Sequence, residues 1–292
     1  MSEIDQDQVP GIYHHRIGDI LVTALSDGYL DVPLDAIRNF PVDQARDVLT
    51  ANCRPVAPRC SVNAFLVRSG GRLALIETGS GNTMGPTLGW LPKNLQRLGI
   101  DPAKIETVLL THMHPDHSNG LTNDAGEPLF PECELVLHEE EVAHWHDDAR
   151  MARVPERQAV RYFQGARIQF APYRDRARLF RSGEVLPGIT AMPIPGHTPG
   201  HTAYLISSGS ESLLVWGDVV HFPDLQIPHP EACMEFDSDS AAAAATRRRV
   251  FDMVATDRLL IAGPHLHFPA FSYLVRDAGG YRLLPEPWRF VP

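Results

Sequence analysis

Apolar and polar positions follow two different periods along the chain, and the changes of period outline its elements. Alternating or continuous apolar runs of strand length fall at 17–25, 62–67, 73–76, 105–110 and 135–137, and again at 178–181, 189–194, 202–207, 212–216, 259–261 and 272–275. Ser26-Asp27-Gly28 is turn chemistry expected to end the first run, and Ser69-Gly70-Gly71 joins the second and third as a hairpin. Helical spacing appears at 41–51 behind Pro41-Val42-Asp43, at 91–98 before Gly99, over most of 139–164, and at 238–255. In the last of these, Ala241 to Ala245 have the highest intrinsic propensity and Asp239 suits the positive end of the dipole. Residues 1–12 are read as a loosely attached arm.

Many strands with interspersed helices, in two halves that each begin strand-rich, predict an α+β fold with helices packed outside a central pair of sheets. No linker, low-complexity tract or short repeat interrupts the chain, so residues 1–292 are expected to form a single domain.

Composition narrows the partners. Lys plus Arg is 26 and Asp plus Glu is 36, a net charge of −10, which disfavours nucleic acid as a ligand and leaves a small molecule as the expected partner. The start of the chain is acidic and lacks the basic, then apolar pattern of a secretory signal. No apolar run approaches the ~18–20 residues of a membrane span, so no membrane partner and a cytoplasmic location are expected. Cys53, Cys60, Cys133 and Cys233 have no CxxC spacing, which argues for reduced thiols and against a thiolate metal site, with Cys60 partly buried beside an apolar run. Arg247, Arg248 and Arg249 are read as amphipathic helix surface in preference to an anion site.

The chemistry gathers at Thr111-His112-Met113-His114-Pro115-Asp116-His117. His112 and His114 are two apart, so on an extended segment both imidazoles leave the same side and can grip one ion. Pro115 keeps His114 out of helical geometry, and Asp116 and His117 follow where the chain turns, placed to serve a second ion. A carboxylate among imidazoles suits zinc, manganese, cobalt or iron and not calcium. Three weaker signals follow, each at a strand end: Pro195-Gly196-His197-Thr198-Pro199-Gly200-His201, Trp216-Gly217-Asp218, and Gly263-Pro264-His265-Leu266-His267.

In order and spacing these elements resemble the metallo-β-lactamase superfamily, whose pattern is HxHxDH, a lone His, an Asp and a final His; the resemblance runs from about residue 18 to 285. It implies a four-layer αββα sandwich of two mixed sheets with external helices. It also implies two divalent metal ions, with zinc favoured. His112, His114 and His197 would hold one ion, Asp116, His117 and His265 the other, and Asp218 would bridge them. His265 is preferred over His267 as the last ligand, and His201 is read as a packing or supporting residue. Within the superfamily the chain is similar to the methyl parathion hydrolase and acyl-homoserine-lactonase-like branch, through 22–28, Gly217-Asp218-Val219-Val220-His221 and the helix from Phe236 through Arg249. That likeness implies a homodimer.

Two departures stand out. Glu77-Thr78-Gly79 has Glu where relatives carry the Asp that props the histidine loop, and Ser118-Asn119-Gly120 replaces a common glycine pair. The reaction the resemblance implies is hydrolysis of a small ester-like bond (lactone, carboxyl ester or organophosphate) by a metal-bridging hydroxide, with Asp116 as catalytic residue holding that hydroxide and passing a proton on. A thioesterase, a β-lactamase-type hydrolase, an iron-dependent sulfur dioxygenase and a non-catalytic metal-binding protein are the competing readings. Selectivity is expected to reside in residues 80–92, 139–175 and 219–236, and Trp90, Trp145, Phe222 and Phe268 are candidate pocket aromatics that serve equally well as core.

Overall fold

The structure, a computed structural model, describes residues 11–277 and 279–292. Its first half lays down β1 (Ile12–Ile17), β2 (Ile20–Asp31), the two-residue β3 (Ile37–Arg38), β4 (Arg59–Ser69), β5 (Arg72–Ile76), β6 (Thr107–Leu109), β7 (Glu134–His138) and β8 (Ala177–Phe180). The second half adds β9 (Gly183–Leu186), β10 (Ile189–Pro193), β11 (Thr202–Ser208), β12 (Glu211–Val215), β13 (Cys233–Met234), β14 (Leu260–Ala262), β15 (Phe271–Asp277) and β16 (Gly280–Pro285). Among the described residues they form two seven-stranded sheets, ordered β1-β2-β4-β5-β6-β7-β8 and β16-β15-β14-β12-β11-β10-β9, with β3 and β13 pairing separately. Both large sheets are mixed: β5, β6, β7 and β8 run parallel in the first, and β12 and β14 in the second.

Strand periodicity explains the layering. Along β4, Phe65 and Val67 face the second sheet while Ala64 and Leu66 face outward, and β5 repeats this with Ala74 and Ile76 inward and Leu75 outward. The inward set meets Ala203, Ile206, Leu213 and Phe271 of the second sheet in one core. The outward set is covered by Leu91 and Leu95 of the helix Leu91–Arg97 and by Trp145, Phe163 and Phe170 from the helical stretch after β7. Against the second sheet lies the helix Ser240–Asp257, capped by the Asp239 side chain on Ala242 N–H and contributing Val250, Phe251 and Val254. This is the expected α+β arrangement of two mixed sheets with external helices. No helix among the described residues is long and apolar enough to cross a membrane.

Several sequence readings need correction. The single strand expected at 17–25 is two: Ile17 closes β1, Gly18 takes φ +54° in a tight turn with Asp19, and β2 restarts at Ile20. Ser26-Asp27-Gly28 does not end that strand. It is a bulge inside β2, with Asp27 fully buried and accepting from Ser80 N–H and Leu91 N–H at 2.9 and 3.0 Å. Residues 1–10 of the expected arm lie outside the described residues, and Ile12 already pairs with Leu25 in the sheet. Arg247 is not helix surface. Its side chain is buried and its guanidinium donates to the carbonyls of Val219, Pro230 and Ala232 at 2.6, 2.8 and 2.9 Å, tying down the loop between β12 and β13. Arg248 and Arg249 are exposed.

Candidate metal centre

All the candidate residues sit where strands of the two sheets end and their loops converge. β6 runs out into the loop holding His112 and His114, and His114 is extended at φ −68°, ψ 157°, as the following proline requires. The chain then turns into the short helix Pro115–Ser118, which carries Asp116 and His117. His197 lies between β10 and β11, Asp218 follows β12, and His265 follows β14.

The structure brings the seven together. His112 Nε2, His114 Nδ1 and His197 Nε2 form a triangle with sides of 3.1, 2.9 and 3.2 Å. A zinc ion with ligands at ~2.0–2.1 Å in tetrahedral array spaces its nitrogens roughly 3.3 Å apart, close to that triangle. Asp116 Oδ2 stands 3.6 Å from His117 Nε2 and 3.5 Å from His265 Nε2. Between the two groups, Asp218 Oδ2 has imidazole nitrogens of His112, His197, His117, His265 and His221 at 3.5, 3.2, 3.3, 3.2 and 3.0 Å. One carboxylate oxygen offers about two lone pairs, so it cannot hydrogen-bond five rings. The buried ring nitrogens of His117 and the Oδ1 of Asp218 are left without hydrogen-bond partners. Cations on either side of Asp218 would satisfy this donor set, which is imidazole and carboxylate throughout.

Protonation in the metal-free chain points the same way. Burial, then repulsion by His117 and His197 respectively, holds His112 and His114 well below the usual histidine range, so both present lone pairs. Burial opposes ionisation of Asp218, but His117 and His265 pull it well below the ordinary carboxylate value. Burial would also lower His197, yet its bonds to Asp218 and Asp237 overcome that and raise it to about 9. His117 and His265 are raised well above 6.5 by Asp218 against the same burial. Without metal, protons supply the positive charge that this cluster of carboxylates demands.

The rings are held from behind, as metal-binding histidines commonly are. His197 Nδ1 meets Asp237 Oδ1 at 2.6 Å, His265 Nδ1 donates to the Ser61 carbonyl at 2.7 Å, and His112 Nδ1 contacts Thr111 Oγ1 at 3.0 Å. Glu77 fills the role expected of the family's Asp: it accepts from the Thr111 backbone and hydroxyl and lies 3.4 Å from His117 Nδ1. It does so from a left-handed backbone, φ +67°. His201 supports and does not join the cluster. Its Nε2 accepts from Asp218 N–H at 2.9 Å, and Gly217 must lack a side chain because a Cβ there would lie 2.3 Å from that nitrogen. His267 is remote, with an exposed side chain 3.8 Å from Asp224, so of the two candidates for the last position only His265 reaches the cluster.

Sequence reasoning missed His221, buried, bonded to Asp218 and stacked on His265 at 5.0 Å between centroids. Its position three residues after Asp218 was the available signal. Asp237 lies 40 residues from its partner His197 and left none.

The cluster floors a cavity of about 630 Å³. Met84, Tyr162 and Phe222 line it from the three segments expected to govern selectivity, and Leu30, Val32 and Ala36 form a wall that the sequence did not announce. Trp145 packs in the core behind His114, while Trp90 and Phe268 are partly exposed and outside the lining.

Known proteins similar to this chain are found both by sequence and by fold. The profile of the Metallo-beta-lactamase superfamily matches residues 57–265. A crystal structure of hydrolase AbOPH, described as in the beta lactamase superfamily, superposes with a TM-score of 0.91 at 32% identity, covering 97% of this chain and 100% of that one. AidC, described as a dizinc quorum-quenching lactonase in complex with a product, gives 0.91 at 25% identity with the same coverage. Among curated proteins, a probable metallo-hydrolase of Mycobacterium tuberculosis is 28% identical over 144 residues, 44% of this chain and 41% of the relative. The uncharacterized protein YobT of Bacillus subtilis is 27% identical over 147 residues, 49% of this chain and 56% of the relative. The chain thus matches about half the length of these curated relatives.

Proposed function

The chain belongs to the metallo-β-lactamase superfamily and carries its His/Asp metal-binding cluster, and from that premise we propose that it is a hydrolase using two divalent ions, zinc favoured, to open a small ester-like bond. The observation that carries this reading is the position of Asp218 Oδ2, central to five imidazole nitrogens within 3.5 Å, at the floor of an accessible cavity. His112, His114 and His197 would hold one ion and Asp116, His117 and His265 the other, with Asp218 shared.

Bound there, two cations would acidify a shared water and polarise the bond under attack. The rest falls to the chain's own residues. Asp116 is the one member of the seven with appreciable exposure, its side chain 13% accessible, and it faces the cavity. Its carboxylate would take the proton of the attacking water and return it to the departing alkoxide. Leu30, Val32, Met84, Phe222 and Phe236 offer apolar walls to an acyl or aryl group. A lactone, a carboxyl ester and an organophosphate triester all fit this description, and AidC is itself a lactonase.

The test is turnover by purified, zinc-loaded protein on a panel of those three classes, with Asp116→Asn as control. Hydrolysis of at least one class is expected, reduced roughly 10²-fold or more in the variant. Zinc-loaded protein that turns over none of them, or a variant as active as the parent, contradicts the proposal.

A further inference from the structure

The Pro195–His201 loop contains residues that the metal cluster does not use, and they converge on a group outside it. Glu141 lies in the helix Glu139–Trp145 directly after β7 and is completely buried, unusual for a glutamate. Its Oε2 accepts from Met113 N–H at 2.9 Å and from Trp145 Nε1–H at 2.8 Å. Its Oε1 accepts from Gly200 N–H at 3.0 Å and from the Thr198 hydroxyl. Met113 stands between His112 and His114; Thr198 and Gly200 follow His197. A Cβ on Gly200 would fall 2.7 Å from the Glu141 nitrogen and 3.1 Å from Oε1, so glycine is what lets this loop close on the carboxylate.

We infer that Glu141 is a positioning residue whose single carboxylate clamps together the two loops bearing His112, His114 and His197, and so sets the affinity of that half of the centre for its divalent cation. The three rings come from segments over 80 residues apart, as the separation of 83 between His114 and His197 shows, and a common anchor fixes their spacing. On the other half His265 has supports of its own: its ring rests on the Ser61 carbonyl and its loop on the Asn63 amide, which donates to the Pro264 and Leu266 carbonyls at 2.8 Å each, while Glu77 serves both halves, beside His117 and bonded to Thr111. None of the four Glu141 bonds reaches those residues. The inference rests on the two-ion reading above and says which ion depends on which support.

Glu141→Gln is the direct test. Each carboxylate oxygen faces an N–H donor, so the glutamine NH₂ meets a donor whichever way the amide turns, and one side of the clamp opens. Metal-free full-length protein is titrated with zinc against a chromophoric chelator, alone and in a His265→Ala background where the three-histidine half remains. One of the two dissociation constants is expected to rise about 10–100-fold and the other to move less than about threefold, with the weakening retained in the His265→Ala background. Hydrogen exchange at Met113 and Gly200 in the metal-free variant is expected to accelerate. Should Glu141→Gln fold poorly, Thr198→Val removes one of the four bonds and is expected to move the same constant the same way, by a smaller factor. Unchanged constants, or equal weakening of both ions, overturn the inference. If the parent binds two zinc ions and the constants split as described yet no ester is hydrolysed, the functional reading fails and the clamp stands.

Discussion

On one side of Asp218, three imidazole nitrogens crowd within 3.2 Å of one another, all from buried rings, with Asp237 behind His197 and Thr111 behind His112. On the other, Asp116, His117 and His265 stand farther apart, at 3.5–3.6 Å, and Asp116 opens on the cavity. The residue types are nearly the same, but the surroundings differ. The tight half has its geometry over-determined by buried hydrogen bonds, which suits retention of an ion. The looser half keeps a carboxylate in contact with the substrate space, which suits chemistry. Asp218 belongs to both, and the account stands or falls on that sharing.

Removing the shared residue should erase the comparison altogether. Asp218→Ala is expected to cost both ions much of their affinity and the hydrolase roughly 10³-fold in rate, the equivalent of several kcal/mol of lost charge stabilisation. Metal analysis after gel filtration, alongside initial rates, checks this; a variant that retains two ions per chain breaks the account. A smaller, one-sided change comes from Asp237→Asn, which keeps the shape behind His197 but not the charge. Its expected effect is about 10–100-fold on one zinc dissociation constant, with the second held nearly constant. Equal changes in both would mean that the halves are not separately supported.

Smallest is a pH effect that sharpens the contrast between the metal-free and metal-loaded states. In the metal-free chain, burial works against the His197 proton, but Asp218 and Asp237 raise its pKa to about 9. A pKa raised on folding contributes stability that is complete below the unfolded value of roughly 6.5 and is lost as pH climbs through about 9. The melting temperature of metal-free protein should therefore fall by a few degrees across that window, while zinc affinity rises because His197 must surrender its proton to bind. Melting curves and zinc titrations at pH 6.5, 8 and 9.5 test both directions. A metal-free protein that becomes more stable over this range contradicts the assignment.

What could be read from the chain beforehand divides along physical lines. The histidine loop was legible because its four ligands are local: Pro115 and the spacing of His112 and His114 constrain their own neighbourhood. The apolar runs at 62–67 and 73–76 on either side of Ser69-Gly70-Gly71 likewise disclosed the hairpin of β4 and β5. Apart from Glu77 and His201, the tertiary supports were not legible. Glu141 looks like any acidic residue in a first helical turn, and only the folded chain brings Met113, Thr198 and Gly200 to it. The wall from Leu30 to Ala36 escaped notice because Ser26-Asp27-Gly28 resembles a terminating turn, whereas the strand absorbs it as a bulge. Arg247 was misread because three consecutive arginines suggest a solvated face. Yet it shares the buried stripe of Ala243, Val250 and Val254, and the carbonyls it meets come from a loop some 15 to 28 residues away.

The most direct measurement is anomalous diffraction at the zinc edge from crystals of zinc-loaded protein. The account predicts two peaks per chain about 3.5–4 Å apart, one within the His112–His114–His197 triangle and one against Asp116, His117 and His265, with Asp218 touching both. A single peak, or two that Asp218 does not join, would contradict it.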